Sequence, residues 1–134
     1  MDVLVNLDVD DLEKAVRFYS AAFDLQVGRR FGTFAVELLG TSTPFYLLLQ
    51  KPGQPATAAG NPRTYERHWT PVHLDFVVED IDAAVERALA AGARLEQPAA
   101  VHSYGKLAVL ADPFGHGFCF IQFLGRGYDE IANK

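Results

Sequence analysis

The chain has 134 residues, 49% hydrophobic and 22% charged, a composition that suits one soluble globular domain and leaves no case for disorder. Its net charge is −5, with Lys and Arg scattered along the chain, which argues against a nucleic-acid partner because phosphate neutralisation needs a concentrated basic face. The lone cysteine, Cys119, excludes an internal disulfide, and apolar runs such as residues 45–49 are far too short to cross a bilayer, so a cytoplasmic protein without membrane contact is expected.

Residues 3–9 alternate apolar and polar at period two and predict a strand. Leu12, Ala15, Val16, Tyr19, Ala22 and Phe23 then follow helical spacing, with Asp11 placed to cap the helix and Asp10 and Glu13 adding negative charge at its positive end. Three further strands are predicted at 26–31, 34–39 and 44–50, separated by turns at Gly32-Thr33 and Gly40-Thr41. Residues 51–71, with four prolines, read as a linker. A second strand and helix follow, with Asp80 as cap, Ile81, Ala84, Val85, Ala88 and Leu89 as the buried stripe, and Gly92 as the stop. Strands at 94–96, 106–111 and 118–123 complete the pattern, the last two joined by the turn Asp112-Pro113-Phe114-Gly115.

The second half repeats the first. Residues 3–22 recur without a gap at 72–91: Val3, Val5, Leu7 and Val9 fall on Val72, Leu74, Phe76 and Val78, and Ala15-Val16 on Ala84-Val85. Neither copy is long enough to close a core alone, so one domain over residues 1–134 is expected. It comprises a first unit at about 1–50, the linker, a second unit at about 72–124 and a tail from 125. The surface shared by the halves is where a ligand is to be sought.

Two tandem βαβββ units with Val9-Asp10-Asp11-Leu12-Glu13-Lys14-Ala15 and Phe18-Tyr19 in the first resemble the vicinal oxygen chelate superfamily, which holds glyoxalase I, extradiol dioxygenases, and fosfomycin- and bleomycin-resistance proteins. His73-Leu74-Asp75-Phe76-Val77-Val78 and Ala111-Asp112-Pro113-Phe114-Gly115-His116 carry the resemblance through the second unit. It implies an α+β fold whose units form a curled mixed sheet of half-barrels around a central cavity, and a homodimer. In metal-dependent members the first and last strand of each unit supply one ligand each. Those positions fall here on Leu4, His73, Cys119 and one of Tyr46, Leu47 or Leu48. Only His73 is an ordinary ligand of that kind. No cofactor is therefore expected, and His73 and Cys119 bind a divalent metal only if the site is atypical.

Strand alternation puts Asn6 and Asp8 on the face of Leu4, and Asp75 on the face of His73, with Glu37 joining them if its register permits. A His beside an Asp is the minimal general acid/base pair, so His73 and Asp75 are the candidate catalytic residues. The alternative is a cavity-wall histidine and carboxylates at strand ends that meet solvent. Trp69, Tyr46 and Tyr104 offer flat rings with polar edges, and His102 adds an imidazole beside Tyr104, although Trp69 could equally pin the linker. Cys119 reads as a small buried hydrophobe. These residues predict a protein that binds a small planar aromatic molecule without the usual metal site. The alternatives are a lyase- or dioxygenase-like enzyme using His73 as base or an atypical divalent metal, and a cavity that has decayed into core.

Overall fold

The computed structural model, which describes residues 1–133, divides along the chain between Glu66 and Arg67 into two compact units, each an open four-stranded mixed sheet with one helix packed on it. Unit 1 contains β1 (Val5–Val9), α1 (Leu12–Phe23), β2 (Gln26–Phe31), β3 (Ala35–Leu39) and β4 (Phe45–Leu49) in the sheet order β1-β4-β3-β2. The first and last strands pair in parallel and the rest antiparallel. Asp11 accepts from the Lys14 N–H at 3.0 Å, as its cap position predicts. The apolar stripe of α1 is buried, and Tyr19 meets Phe45 edge to face at 5.6 Å, docking the helix on β4. The helix ends on Asp24 at φ 54, a left-handed cap that aspartate tolerates better than most residues.

Unit 2 repeats the design with β5 (Leu74–Val77), α2 (Ile81–Ala91), β6 (Arg94–His102), β7 (Gly105–Ala111) and β8 (Gly117–Phe123) in the order β5-β8-β7-β6. Asp80 accepts from Ala83 N–H at 3.1 Å, and the Gln122 side chain accepts from Ile81 N–H at 3.0 Å, so two of the otherwise orphaned donors at the head of α2 are satisfied. Ile81, Ala84 and Ala88 are buried, whereas Leu89, expected on the same stripe, is 40% exposed. Small side chains at 84 and 88 narrow the contact stripe and leave Leu89 at its edge.

The sixth strand differs most from expectation. It continues to His102 instead of stopping at Glu96, through Pro98 and two register shifts. As the edge strand it needs no outward N–H, so proline and bulges that would break a central strand are tolerated. The expected linker is likewise divided between the units. Arg63 donates to Asp8 at 2.6 Å and Tyr65 to the Gln50 carbonyl at 2.7 Å, fixing the segment up to Glu66 to unit 1. In the tail, a short 3₁₀ helix (Gly127–Glu130) brings Tyr128 against Phe123 and Tyr104, with ring centroids at 4.7 and 5.4 Å. Among the described residues no helix is long and apolar enough to cross a membrane.

Gly105 opens β7 at φ 152, and a Cβ there would strike the Gln122 carbonyl and Phe123 of β8. Gly105→Ala is expected to destabilise the fold by about 2 kcal/mol or more through strain and overpacking. Asp80→Ala, which removes only a cap, should cost about 1 kcal/mol. Urea denaturation of both variants checks the order, and a reversed order would count against this backbone conformation.

Candidate functional site

The parallel pairing of β5 with β8 sets Asp75 opposite Cys119, while β8 sets Cys119 opposite Val109 on β7 and β7 sets Val109 opposite Gln97 on β6. Cross-strand partners share a face, so these four side chains form one row across the sheet of unit 2. The alternate positions Phe76, Phe118 and Phe120 pack against one another at 5.5 to 6.3 Å on the other face. His73 lies two positions before Asp75, just outside β5, and its Nε2 is 3.2 Å from Asp75 Oδ1. One donor atom each from His73, Asp75 and Cys119 lies within 4.8 Å of the others. Burial, and then the negative charge of Asp75 and the hydrogen bond to it, push the Cys119 thiol up to about 12. Both effects favour the neutral thiol, which faces the Asp75 carboxylate.

Beside this row opens a depression of about 560 Å³ lined by Arg67, His68, Trp69, Glu96, Gln97 and Val109. Gln97 and Val109 belong to the row itself. Trp69 joins the depression to the polar cluster, because its ring centroid is 4.7 Å from that of His73. Arg67 donates through Nε and Nη2 to the two oxygens of Glu96, both at 2.7 Å, and through Nη1 to the His68 carbonyl. Its hydrogen bonds hold the Glu96 carboxyl below the usual carboxylate range, against the opposing effect of burial.

Unit 1 carries the corresponding row. Asn6 pairs with Tyr46 as Asp75 does with Cys119, which settles the register of β4: Tyr46, not Leu47 or Leu48, is the counterpart of Cys119. Tyr46 in turn pairs with Glu37, which is 5% exposed. Arg29 donates to Glu37 from Nε at 3.0 Å, from Nη2 at 2.5 Å and from its backbone N–H at 3.1 Å, and the Tyr46 hydroxyl donates at 3.1 Å. Gly28 makes room for this, since a Cβ would lie 2.6 Å from Glu37 Oε1. The row in unit 1 is thus an internally satisfied ionic cluster, with Asn6 exposed at its end and Asp8 bound by Arg63.

Of the sequence-predicted residues, the structure brings His73, Asp75 and Trp69 together in unit 2, and Asn6, Glu37 and Tyr46 into one row in unit 1. His102 and Tyr104 stack on each other at the β6–β7 turn, 5.2 Å apart and 3° from parallel, and neither lines the depression. Arg67, Glu96, Gln97 and Arg29 escaped the sequence reading. Arg67 sat in an assumed linker, and nothing local couples it to Glu96. The four-donor metal arrangement of the resemblance does not fit these residues, because its positions in unit 1 are Leu4 and Tyr46. Unit 2 by itself offers a nitrogen, an oxygen and a sulfur donor.

Hydrogen bonds from the Arg29 side chain, then from its backbone N–H, lower the Glu37 carboxyl from 4.5 to about 2. A depressed folded-state value stabilises the fold fully above the unfolded value of 4.5, and this contribution is lost as pH falls toward 2. Arg29→Met should raise the Glu37 midpoint in an NMR titration and move acid unfolding to higher pH. An unchanged midpoint would mean that the pair does not form in solution.

An uncharacterised protein of Mycobacterium tuberculosis is 32% identical to this chain over 120 residues, covering 83% of this chain and 68% of that protein. The anthracycline biosynthesis protein DauV of Streptomyces sp. (strain C5) is 29% identical over 132 residues, covering 96% of this chain but 43% of its own length. Among solved structures, the fosfomycin resistance protein FosX of Listeria monocytogenes superposes with a TM-score of 0.73 over 98% of both chains at 18% identity, a likeness of fold. Residues 4–121 match the sequence profile described as a glyoxalase-like domain. With its paired βαβββ units, this chain shares the fold of solved fosfomycin-resistance and glyoxalase/bleomycin-resistance proteins, and it belongs to the glyoxalase-like domain family.

Proposed function

We propose that the protein binds a small planar molecule on the sheet face of unit 2, without the usual four-donor metal site. The observation that carries this reading is Trp69, which walls the depression and touches the His73 ring, so an apolar surface and an oriented polar pair adjoin. A flat ligand laid on the indole would gain from apolar burial, while His73 and Asp75 supply the hydrogen bonds that select it. His73 Nε2 lies 3.2 Å from Asp75 Oδ1, the juxtaposition of imidazole and carboxylate on which general acid/base chemistry would be built. Similarity to a protein named for anthracycline biosynthesis supports a planar ligand class.

A second reading is favoured by one observation, the convergence of donors from His73, Asp75 and Cys119. Three protein donors with an open position suit a zinc-type ion, which would supply a Lewis acid toward a ligand oxygen.

Removing the His73 imidazole should weaken ligand binding by about 1 to 3 kcal/mol without unfolding the protein. Calorimetric titration of wild type, His73→Ala and Trp69→Phe against flat aromatic compounds, phenols and thiol conjugates measures this. Affinity no better than about millimolar throughout, together with a sharply lower melting temperature for His73→Ala, would assign His73 to the core instead. Metal analysis of untagged protein separates the two readings: well under one equivalent is expected, and a full equivalent lost on His73→Ala would select the zinc-type centre.

A further inference from the structure

Arg67 makes an unusual set of contacts for a residue at the start of a unit. Its side chain is 15% exposed, and its guanidinium reaches Glu96 on β6 while lying against Gly117 on β8, so it spans the intervening strand β7. A Cβ at position 117 would collide with the guanidinium nitrogens. The same group sits 5.4 Å from the centroid of the Trp69 ring, within cation–π range. Three separate contacts thus fix one planar cation: a two-pronged bond to a carboxylate, a bond to the carbonyl of the residue before Trp69, and the face of the indole. Trp69 itself is half exposed and belongs to no strand, so nothing in the sheet ladder orients it.

We propose that Arg67 is a positioning residue which, seated between Glu96 and the bare backbone of Gly117, holds the Trp69 indole as a preset wall for an uncharged planar ligand. The inference rests on the small-molecule reading above and adds the ligand's charge class. The permanent charges lining the depression are Arg67 and Glu96, and each is spent on the other: both carboxylate oxygens accept from Arg67, and Arg94 also approaches Glu96 at 3.6 Å. Asp75, the carboxylate beside the depression, is faced by His73 at 3.2 Å and by the Cys119 thiol, so a charged ligand would lose hydration without finding a free counter-charge, whereas a neutral ring would not. A wall already in place spares the ligand the cost of ordering it.

Trp69 is the only tryptophan in the chain, so its fluorescence reports this wall directly. Arg67→Lys keeps the charge but loses the planar fork, and should raise the acrylamide quenching constant of Trp69 by about twofold or more while the melting temperature stays within a few degrees of wild type. Gly117→Ala, which displaces an intact Arg67, should move the quenching the same way and serves if the lysine variant does not fold. Three tricyclic probes of like shape then test the ligand class by calorimetry: acridone, an aminoacridine cation and anthracene carboxylate. Acridone should bind tightest, and its affinity should fall about tenfold in Arg67→Lys. Wild-type quenching and wild-type acridone affinity in both variants would overturn the positioning role. Either charged probe binding as tightly as acridone would overturn the charge class. If wild type binds none of the three, the small-molecule reading fails, while the quenching comparison, which needs no ligand, still decides the role of Arg67.

Discussion

Each unit depends on the parallel pairing of its first strand with its last. A hairpin cannot make that pairing, so the chain must travel through a helix and two antiparallel strands before returning. The return determines which side chains become neighbours: Asp75 meets Cys119 and Asn6 meets Tyr46 because β5 lies beside β8 and β1 beside β4. A slip of one residue would turn Cys119 to the phenylalanine face and Phe118 or Phe120 to the polar row. The buried aromatic face of β8 therefore enforces the register on which the His73, Asp75 and Cys119 cluster rests.

Both units pair a carboxylate on the sheet with an arginine fork and a nearby glycine that leaves space, although Glu37 is buried and Glu96 lies on the exposed edge strand β6. The outcome differs. In unit 1 the fork closes the row, and the phenol of Tyr46 completes a cluster with little left to offer a ligand. In unit 2 the fork stands beside the row, and the row's own polar groups remain at the surface. Two copies of one βαβββ plan have thus been put to different uses, one as an ionic brace and one as a candidate recognition face.

The elements were legible in the sequence because periodicity and caps are local. Alternation at period two, the aspartates at 11 and 80 and the glycine at 92 mark strand, helix start and helix end without reference to the rest of the chain. The nearness of His73 to Asp75 was legible for the same reason, the two lying two positions apart at the start of β5. The extension of β6 was hidden because Pro98 is a strand breaker everywhere except at an edge, and edge position is a property of the finished sheet. Arg67 with Glu96, and Arg29 with Glu37, were hidden because a salt bridge between separate elements leaves no spacing rule behind. Resolving Tyr46 as the counterpart of Cys119 in the first repeat likewise required the ladder of hydrogen bonds.

The same return pairing has a kinetic meaning. Val5 waits for Phe45, and Leu74 for Phe118, before either sheet gains its parallel half. Contacts so distant along the chain are slow to form, because loop entropy is lost before they repay it. During synthesis the strand β1 would therefore leave the ribosome as an unpaired edge and stay so until β4 follows, the same strand against which Tyr19 of α1 packs, so one arrival completes both the ladder and the helix's seat.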